Sequence, residues 1–134
     1  MKQNNLRVVF SILAIALATL ACEFSASTAN IGDAYMAHDD QGAERTTVFA
    51  QDAIFYCIVQ LANAPDDTAV KVVWYAVNAQ DTEPNLLIDE VETTGGDGII
   101  PFNLTNNGLW PLGTYKAEIY LNGTLDRTLN FEVQ

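Results

Sequence analysis

Side chains with catalytic potential are few in this chain, and they do not form a recognisable constellation. There is one histidine, His38, and it is followed directly by Asp39 and Asp40. A zinc site with two histidines is therefore impossible, and a catalytic triad would rest on a weakly patterned edge strand. We interpret these three residues as a solvated turn and predict that the protein is not an enzyme.

Acidic residues cluster around one loop, and carboxylates are the ligands that calcium prefers. They lack the fixed spacing of a calcium-binding loop, which favours solvated charge: Asp81, Glu83, Asp89, Glu90 and Glu92. The glycine-rich stretch 95–98 lacks the lysine and the strand-to-helix context of a phosphate-binding loop, so it predicts a hairpin turn. We expect no cofactor. A secreted calcium-dependent enzyme or binding protein that uses the acidic loops is an alternative.

A recognition surface is predicted on the outward side of two strands, where alternation leaves four apolar residues. If the two strands are neighbours in one sheet, these residues form a patch that we call the tyrosine face: Val73, Tyr75, Val77 and Tyr120. An exposed apolar patch with two tyrosines is typical of a partner-binding site. The alternative is that flanking loops or Trp110 cover the patch. Replacing both tyrosines by serine would separate the two interpretations.

The N-terminus has the organisation of an export signal. Two basic residues precede an uncharged, alanine-rich run at 8–21, which is too short to span a membrane as a helix. Cys22 follows Ala21 directly. This junction resembles the lipobox of bacterial lipoproteins, in which the cysteine is lipidated and becomes the new N-terminus. Thr19 stands where that family usually has leucine.

The resemblance implies a signal peptide at 1–21, a lipid on Cys22 and a flexible tether at 22–30, ahead of a domain at 31–134. It implies an extracytoplasmic protein that is anchored to a membrane of the cell envelope. The alternative is cleavage after Ala29, which would discard the cysteine and release the domain as a secreted protein.

Charge excludes one large class of partners. The chain has 6 basic and 17 acidic residues, and two of the basic ones lie within the predicted signal. The remaining domain is strongly acidic, and such a surface repels nucleic acid and anionic lipid. We therefore expect no nucleic-acid partner. A length of 134 residues with 49% hydrophobic composition suits one domain with one core.

Seven segments beyond the tether carry strand patterns that are separated by turn signals. They cover 33–38, 53–61, 70–77, 86–93, 99–104, 115–121 and 124–133. Pro101 confines the fifth segment to a sheet edge or a bulge. The pattern predicts an all-β protein, a seven-stranded antiparallel β-sandwich.

Three residues give this pattern a likeness to immunoglobulin-like domains. Cys57 lies on the inward face of the second strand, Trp74 on that of the third, and Tyr115 at the start of the sixth. The pattern resembles the disulfide cysteine, core tryptophan and tyrosine corner of that family. The resemblance implies that Cys57 is a buried thiol facing Ala117, which stands where the family has its second cysteine. A disulfide between Cys22 and Cys57 is the alternative.

The last hairpin has two possible registers. Asn122-Gly123 is typical of a two-residue type I′ turn, but that register would turn the apolar residues of the last strand outward. We predict a three-residue loop at 121–123 with a bulge, which places Arg127 on the inward face. In this register the two strands align their apolar residues: Leu125, Leu129 and Phe131 beside Tyr115, Ala117 and Ile119.

These features predict a non-catalytic, membrane-anchored module that binds an envelope protein or glycan. A second hypothesis is an accessory subunit that contributes a strand edge to a larger envelope assembly. The calcium-dependent protein described above is the third.

Overall fold

The computed structural model describes residues 27–134. The predicted signal peptide, the predicted lipidation site Cys22 and residues 23–26 of the predicted tether lie outside the described residues. No helix among residues 27–134 is long and apolar enough to cross a membrane. Eight strands are numbered here in chain order: β1 (Asn30–Ala37), β2 (Val48–Phe49), β3 (Phe55–Ala62), β4 (Thr68–Ala79), β5 (Leu86–Gly95), β6 (Gly98–Leu104), β7 (Gly113–Leu121) and β8 (Thr124–Val133).

The strands form two sheets, one with the order β1-β3-β6 and the other with the order β2-β8-β7-β4-β5. The predicted all-β sandwich is therefore confirmed. Its predicted strand number and uniform antiparallel pairing are wrong, because the described residues form eight strands and β2 pairs in parallel with the end of β8. β2 consists of Val48 and Phe49 alone, which is too short to produce an alternating pattern in the sequence.

Alternating burial explains the position of the two central strands. Along β4, the inward residues Val70, Val72, Trp74 and Ala76 are at most 2% exposed. The inward residues of β3 are also buried: Phe55, Cys57, Val59 and Leu61. Both rows belong to one hydrophobic core between the sheets, whose burial stabilises the domain by about 25 cal/mol per Å² of apolar surface.

Five aromatic rings pack together at one end of this core. Phe55 lies at their centre and stacks on Trp110, with 4.5 Å between the ring centroids. The indole Nε1–H of Trp110 donates a hydrogen bond to the carbonyl oxygen of Ala53 at 2.9 Å. Trp110 is therefore fixed although it lies in a loop. Phe55 meets the other three rings edge to face: Phe49, Tyr115 and Phe131.

The β7–β8 hairpin turns differently from our prediction. Asn122 and Gly123 have φ values of 48° and 84°, which a two-residue type I′ turn requires. Leu121 pairs with Thr124 across this turn, so the predicted three-residue loop is wrong. Leu125 consequently lies on the outer face, where it is 47% exposed.

A bulge farther along β8 returns its apolar residues to the core. The register shifts at Asp126, which has no partner on β7. Beyond it, Leu129 pairs with Ala117 and Phe131 with Tyr115, as the hydrophobic pattern predicted. The turn chemistry and the hydrophobic pattern are therefore both satisfied, because the bulge lies in the strand and not in the loop.

The shifted register turns Arg127 toward the space between the sheets. Its Nη2 donates to the carbonyl oxygen of Ile31 at 2.9 Å, and its Nε donates to the Asp126 carboxylate at 2.8 Å. These two partners keep the guanidinium hydrogen-bonded at the edge of the core.

The connections lie at two opposite ends of the sandwich. At the tether end, β1 begins, and three short connections join β3 to β4, β5 to β6 and β7 to β8. The hydroxyl of Thr28 donates to the carbonyl oxygen of Asn63 at 2.9 Å, so the chain enters the domain beside the β3–β4 connection. The distal end is formed by the remaining loops, at 38–47, 50–54, 80–85 and 105–112.

Candidate functional site

The tyrosine face lies on the outer side of the five-stranded sheet. β4 and β7 are neighbours there, as the predicted patch requires. Their register places Val73 beside Tyr75 and diagonal to Tyr120. Val77 lies at a bulge of β4, where the pairing with β7 shifts. The four residues therefore share one face of the sheet.

Each tyrosine of this face is covered by a lysine of the neighbouring strand. The Nζ atom of Lys116 lies 4.8 Å from the centroid of the Tyr75 ring. The Nζ atom of Lys71 lies 4.5 Å from the centroid of the Tyr120 ring. Both tyrosines are half-buried, and Val73 is 5% exposed. Val73 is therefore the least accessible of the four residues of the predicted patch.

Carboxylates hold the covering lysines in place. Lys71 pairs with Glu90 at 3.3 Å, and Lys116 pairs with Glu118 at 3.5 Å. The Tyr120 hydroxyl donates to Glu118 at 3.4 Å, and desolvation together with the Glu118 charge raises the pKa of Tyr120. The lysines that cover the tyrosine face and the Tyr120 hydroxyl are thus already paired with carboxylates of the same sheet.

The residues that gave the immunoglobulin-like resemblance lie in the core. Trp74 pairs with Ala117 across β4 and β7, and both are fully buried. Cys57 is buried in the other sheet, and burial raises the pKa of its thiol to about 12, so the thiol is protonated at neutral pH. The Tyr115 hydroxyl donates to the carbonyl oxygen of Pro111 at 2.5 Å, which is the hydrogen bond of a tyrosine corner. All four residues occupy structural positions.

The turn after β1 contains the histidine and its neighbouring aspartates. The Asp39 carboxylate accepts hydrogen bonds from the backbone N–H groups of Glu44 and Ala43 at 2.9 and 3.0 Å, and these bonds lower its pKa. The His38 ring packs edge to face on Phe49, with 5.2 Å between centroids. Asp39 therefore stabilises a turn, and His38 extends the aromatic packing.

The acidic residues considered as calcium ligands are spread over different surfaces. Asp81 and Glu83 lie in the 80–85 loop, whereas Asp89 and Glu90 are successive residues of β5 and lie on opposite faces of the sheet. Within residues 27–134, no group of three or more His, Cys, Asp or Glu side chains could hold a metal ion.

An apolar cavity of about 300 Å³ lies at the distal end, between the β4–β5 and β6–β7 loops. Its rim includes Leu86 and Leu87, which are 41% and 53% exposed. The buried part of its lining is apolar and aromatic: Ala76, Trp110 and Tyr115. We call this site, which the strand pattern did not predict, the distal cavity.

Thr82 and Asn106 also line the distal cavity, and the side chain of each donates a hydrogen bond to a backbone carbonyl three residues away along the chain. The Thr82 hydroxyl donates to the carbonyl oxygen of Ala79 at 2.9 Å, and Asn106 Nδ2 donates to the carbonyl oxygen of Leu109 at 3.3 Å. The cavity therefore offers apolar surface and contains no arrangement of nucleophile and base.

Exposed apolar side chains concentrate around the distal cavity. Leu109 and Leu112 are 65% and 41% exposed and belong to the loop that supplies Trp110. A single exposed apolar residue is ordinary, whereas a cluster beside a cavity is typical of a binding site. Nine large hydrophobic residues are exposed in the part of the chain described, and six of them lie in or next to the distal loops: Val48, Ile54, Leu86, Leu87, Leu109 and Leu112.

One sequence signal could have located this site. Residues 109–112 read Leu-Trp-Pro-Leu, within a segment of asparagines and glycines that predicts a turn. Four consecutive apolar residues are unexpected in a solvated turn. Because the side chains of a loop do not alternate between two faces, the strand pattern identifies this segment only as a turn. Its apolar surface is not predicted.

A larger and more open groove of about 580 Å³ lies between β1 and β8. On its wall, the Arg45 guanidinium lies 3.6 Å from the centroid of the Tyr35 ring and pairs with Asp33 at 2.9 Å. Threonine and asparagine side chains supply much of the remaining lining. The distal cavity is smaller but has a larger share of apolar side chains, so we take it as the candidate site.

Comparison with solved structures identifies the fold. An immunoglobulin-like protein of Pseudomonas aeruginosa matches 82% of this chain and 99% of its own length, with a TM-score of 0.55 and 14% sequence identity. Neither a protein-family model nor a curated protein sequence matches the chain. At this identity the likeness shows the fold alone, and the domain is an immunoglobulin-like β-sandwich.

Two larger proteins contain a similar domain. An alkylpurine DNA glycosylase of Pseudomonas fluorescens, bound to DNA, matches 81% of this chain with a TM-score of 0.53 and 13% identity. A β-glucosidase of Listeria innocua, in complex with glucose, matches 82% with a TM-score of 0.51 and 14% identity. This chain spans only 31% and 17% of those two proteins, so the likeness concerns one domain of each.

Proposed function

We propose that the protein is a non-catalytic binding module of the bacterial cell envelope, exported and then anchored through a lipid on Cys22. The immunoglobulin-like fold supports a binding role, and the export pattern of residues 1–22 supports the location. The burial of the Cys57 thiol and the packing of His38 on Phe49 favour a role without catalysis.

The arrangement of the two ends of the sandwich is the observation that carries this proposal. The chain enters at the tether end, where Thr28 is hydrogen-bonded to Asn63. The distal cavity lies at the other end, beyond the 12 residues of β4, which span about 40 Å at 3.3 Å per residue. A protein anchored at its N-terminus would present the cavity away from the membrane.

The short tether also determines which connections face the membrane. Cys22 precedes Ser27 by five residues, and an extended chain of that length reaches about 18 Å. The β3–β4 and β7–β8 connections lie at this end, in the places of two binding loops of antibody variable domains. On the proposed anchor these connections face the lipid, and the distal loops remain for a partner.

Charge favours a protein partner over a nucleic acid. Two of the 6 basic residues and one of the 17 acidic residues precede residue 27, so the described domain has 4 basic and 16 acidic side chains. Such a surface repels phosphate backbones and attracts cationic proteins. Among envelope components, the exposed leucines favour a protein over a glycan, because leucine side chains offer no hydrogen bonds to sugar hydroxyls.

Photocrosslinking in intact source cells, followed by mass spectrometry, tests the proposal. A photoreactive side chain in place of Leu109 is expected to capture one dominant envelope protein. The matched control is the same side chain in place of Ile99, which is 50% exposed but lies at the tether end. The purified protein is expected to begin at an acylated Cys22.

Three results would contradict parts of the proposal. A chain that begins at Asn30 and stays in the soluble fraction would rule out the anchor. The absence of a partner at every labelled position would rule out the interaction. A partner captured only through Tyr75 or Tyr120 would move the binding site to the tyrosine face.

A further inference from the structure

We propose that the distal cavity receives one large apolar side chain, such as leucine or phenylalanine, from a cationic segment of the partner protein. This inference rests on the proposed function and adds to it the chemistry of the segment that binds. Three observations support it: the lining of the cavity, the hydrogen bonds that fix its walls, and the charge of the loops around it.

The lining of the cavity suits a single apolar anchor. Its volume of about 300 Å³ is at the small end of the range for ligand pockets. Trp110 and Tyr115 supply aromatic surface inside, and Leu87 supplies apolar surface at the rim. Anchor residues of protein interfaces insert into such pockets, and the contacts around them exclude water. The exposed side chains of Leu109 and Leu112 are available for those surrounding contacts.

Hydrogen bonds between loops fix the walls of the cavity. The backbone N–H of Gln80 donates to the carbonyl oxygen of Leu112 at 2.8 Å, which joins the two loops that enclose the cavity. The backbone N–H of Trp110 donates to the Gln51 carbonyl oxygen at 2.8 Å, and Gln51 Nε2 donates to the Trp110 carbonyl oxygen at 2.9 Å. Since the pocket exists before binding, a partner does not have to order these loops.

The β4–β5 loop beside the cavity is acidic, whereas the β6–β7 loop carries no charge. Asp81 and Glu83 flank Thr82 in the β4–β5 loop, and Asp52 lies in the loop that bonds to Trp110. No lysine, arginine or histidine occurs in 50–54, 80–85 or 105–112. Complementary charge at the rim of an interface raises the association rate and selects the partner. Lysine or arginine next to the inserted side chain is the complement of this rim.

The same charges argue against a second copy of this chain as the occupant. A second domain would bring 16 more acidic side chains toward an acidic rim, and like charges at an interface disfavour association. Within residues 27–134, each basic side chain already pairs with a carboxylate outside the distal loops: Arg45, Lys71, Lys116 and Arg127. The cationic segment therefore belongs to a different protein.

Calorimetric titration of the full chain, purified in detergent, with three synthetic peptides tests the inference. The peptides have the same length and carry a leucine between lysines, a serine between lysines, or a leucine between glutamates. We expect the lysine-flanked leucine peptide to bind at least about tenfold more tightly than the other two. Its affinity is expected to fall as salt is raised, because the attraction is screened.

Four single variants locate the binding of this peptide. Leu87→Ser is expected to weaken binding about tenfold, and Glu83→Gln about threefold with a smaller salt dependence. Leu125→Ser and Asp67→Asn make the same two chemical changes at the tether end, where both residues are exposed. These two matched controls are expected to bind as the unaltered chain does.

Three outcomes would overturn the inference. The first is equal binding of all three peptides, and the second is binding of none of them. The third is peptide binding that is unchanged in Leu87→Ser but is lost when Tyr75 and Tyr120 are both changed to serine. The proposed function fails by a different result, the absence of any crosslinked partner in cells. If a partner is captured at position 109 but the protein binds the three peptides without preference, only the proposed cationic apolar segment is rejected. The proposal that the protein is a binding module is then retained.

Discussion

The tyrosine face and the distal cavity both gather aromatic and aliphatic side chains, but only the distal end leaves many of them exposed. On the sheet, Lys116 covers Tyr75 and Lys71 covers Tyr120, and Val73 is 5% exposed. In the 50–54, 80–85 and 105–112 loops there is no lysine, arginine or histidine, and Leu109 is 65% exposed. The tyrosine face, which the sequence predicts to be an apolar surface, is thus not the surface whose apolar side chains are exposed to solvent. That surface lies at the distal end.

Regular strand pairing explains this difference. Neighbouring strands lie about 4.8 Å apart, so side chains of the next strand are always within reach of an outward-facing tyrosine. A lysine stem can cover the ring while its amine reaches a carboxylate, as Lys71 does with Glu90. A loop residue such as Leu109 belongs to no strand pair and so has no neighbour at a fixed register. An apolar residue on a sheet face is therefore weaker evidence for binding than one in a loop.

The largest effect on stability is expected for Trp110→Ala, which removes one of the two aromatic side chains that line the distal cavity. Trp110 is 5% exposed, stacks on Phe55 and donates a hydrogen bond to Ala53. Its truncation is expected to reduce the free energy of unfolding by about 3 to 5 kcal/mol. Chemical denaturation, followed by far-ultraviolet circular dichroism, measures this loss.

Leu109→Ala is the matched control for that variant, one residue away in the same loop. Since Leu109 is 65% exposed, its truncation is expected to change the free energy of unfolding by no more than about 0.5 kcal/mol. A loss as large as that of Trp110→Ala would show that Leu109 is part of the core. The comparison between a covered sheet face and an open distal end would then fail.

Most of the fold follows from the sequence, because strand alternation and core aromatics report on burial. Trp74 and Cys57 alternate with outward residues and are both fully buried, and Pro101 lies on β6, an edge strand. β2 cannot be predicted in this way, because a strand of two residues is too short to show an alternation of buried and exposed side chains. The bulge at Asp126 cannot be predicted from alternation for another reason. The turn type and the hydrophobic pattern imply different registers, and either a longer loop or a strand bulge reconciles them.

The candidate site follows from the sequence only in part. Alternation correctly places Tyr75 and Tyr120 on one face, but it cannot show that lysines of the adjacent strand lie over their rings, because that depends on register. The distal cavity depends on two loops that are joined by the hydrogen bond between Gln80 and Leu112. The separation of these residues along the chain hides their contact from any local pattern.

A smaller effect is expected for Tyr115→Phe, which tests how the sheet holds the distal loop. The Tyr115 hydroxyl donates to the carbonyl oxygen of Pro111, next to the tryptophan of the cavity. Its loss leaves a carbonyl group without this partner and is expected to reduce the free energy of unfolding by about 1 to 2 kcal/mol. Denaturation at neutral pH measures the difference between the two proteins.

Alkaline pH provides the control for this interpretation. Burial raises the pKa of Tyr115 above its ordinary value of 10.0, so the folded state favours the neutral hydroxyl. The stabilisation is complete below pH 10 and is lost as the pH rises beyond it, because the unfolded chain ionises first. The advantage of the unaltered protein over Tyr115→Phe is therefore expected to shrink above pH 10. A difference independent of pH would assign the loss to packing and not to the hydroxyl.

The smallest effect on stability is expected when Lys71 and Lys116 are both changed to alanine, which would make the tyrosine face resemble the distal end. Partly exposed ion pairs contribute little, so the free energy of unfolding is expected to fall by about 1 kcal/mol or less. Exposure of Tyr75 and Tyr120 is expected to rise nonetheless, because the lysine stems no longer cover the rings. Nitration by tetranitromethane, with peptide mapping by mass spectrometry, measures that exposure at each ring.

Arg45→Ala is the control for the lysine variant, since it also removes a cation that lies over a tyrosine. The Arg45 guanidinium is 3.6 Å from the centroid of the Tyr35 ring, on the other sheet, so its loss is expected to accelerate nitration of Tyr35 alone. Unchanged nitration of Tyr75 and Tyr120 in the lysine variant would mean that the lysines do not shield those rings. Cover by lysine could then no longer explain why the tyrosine face is less exposed than the distal loops.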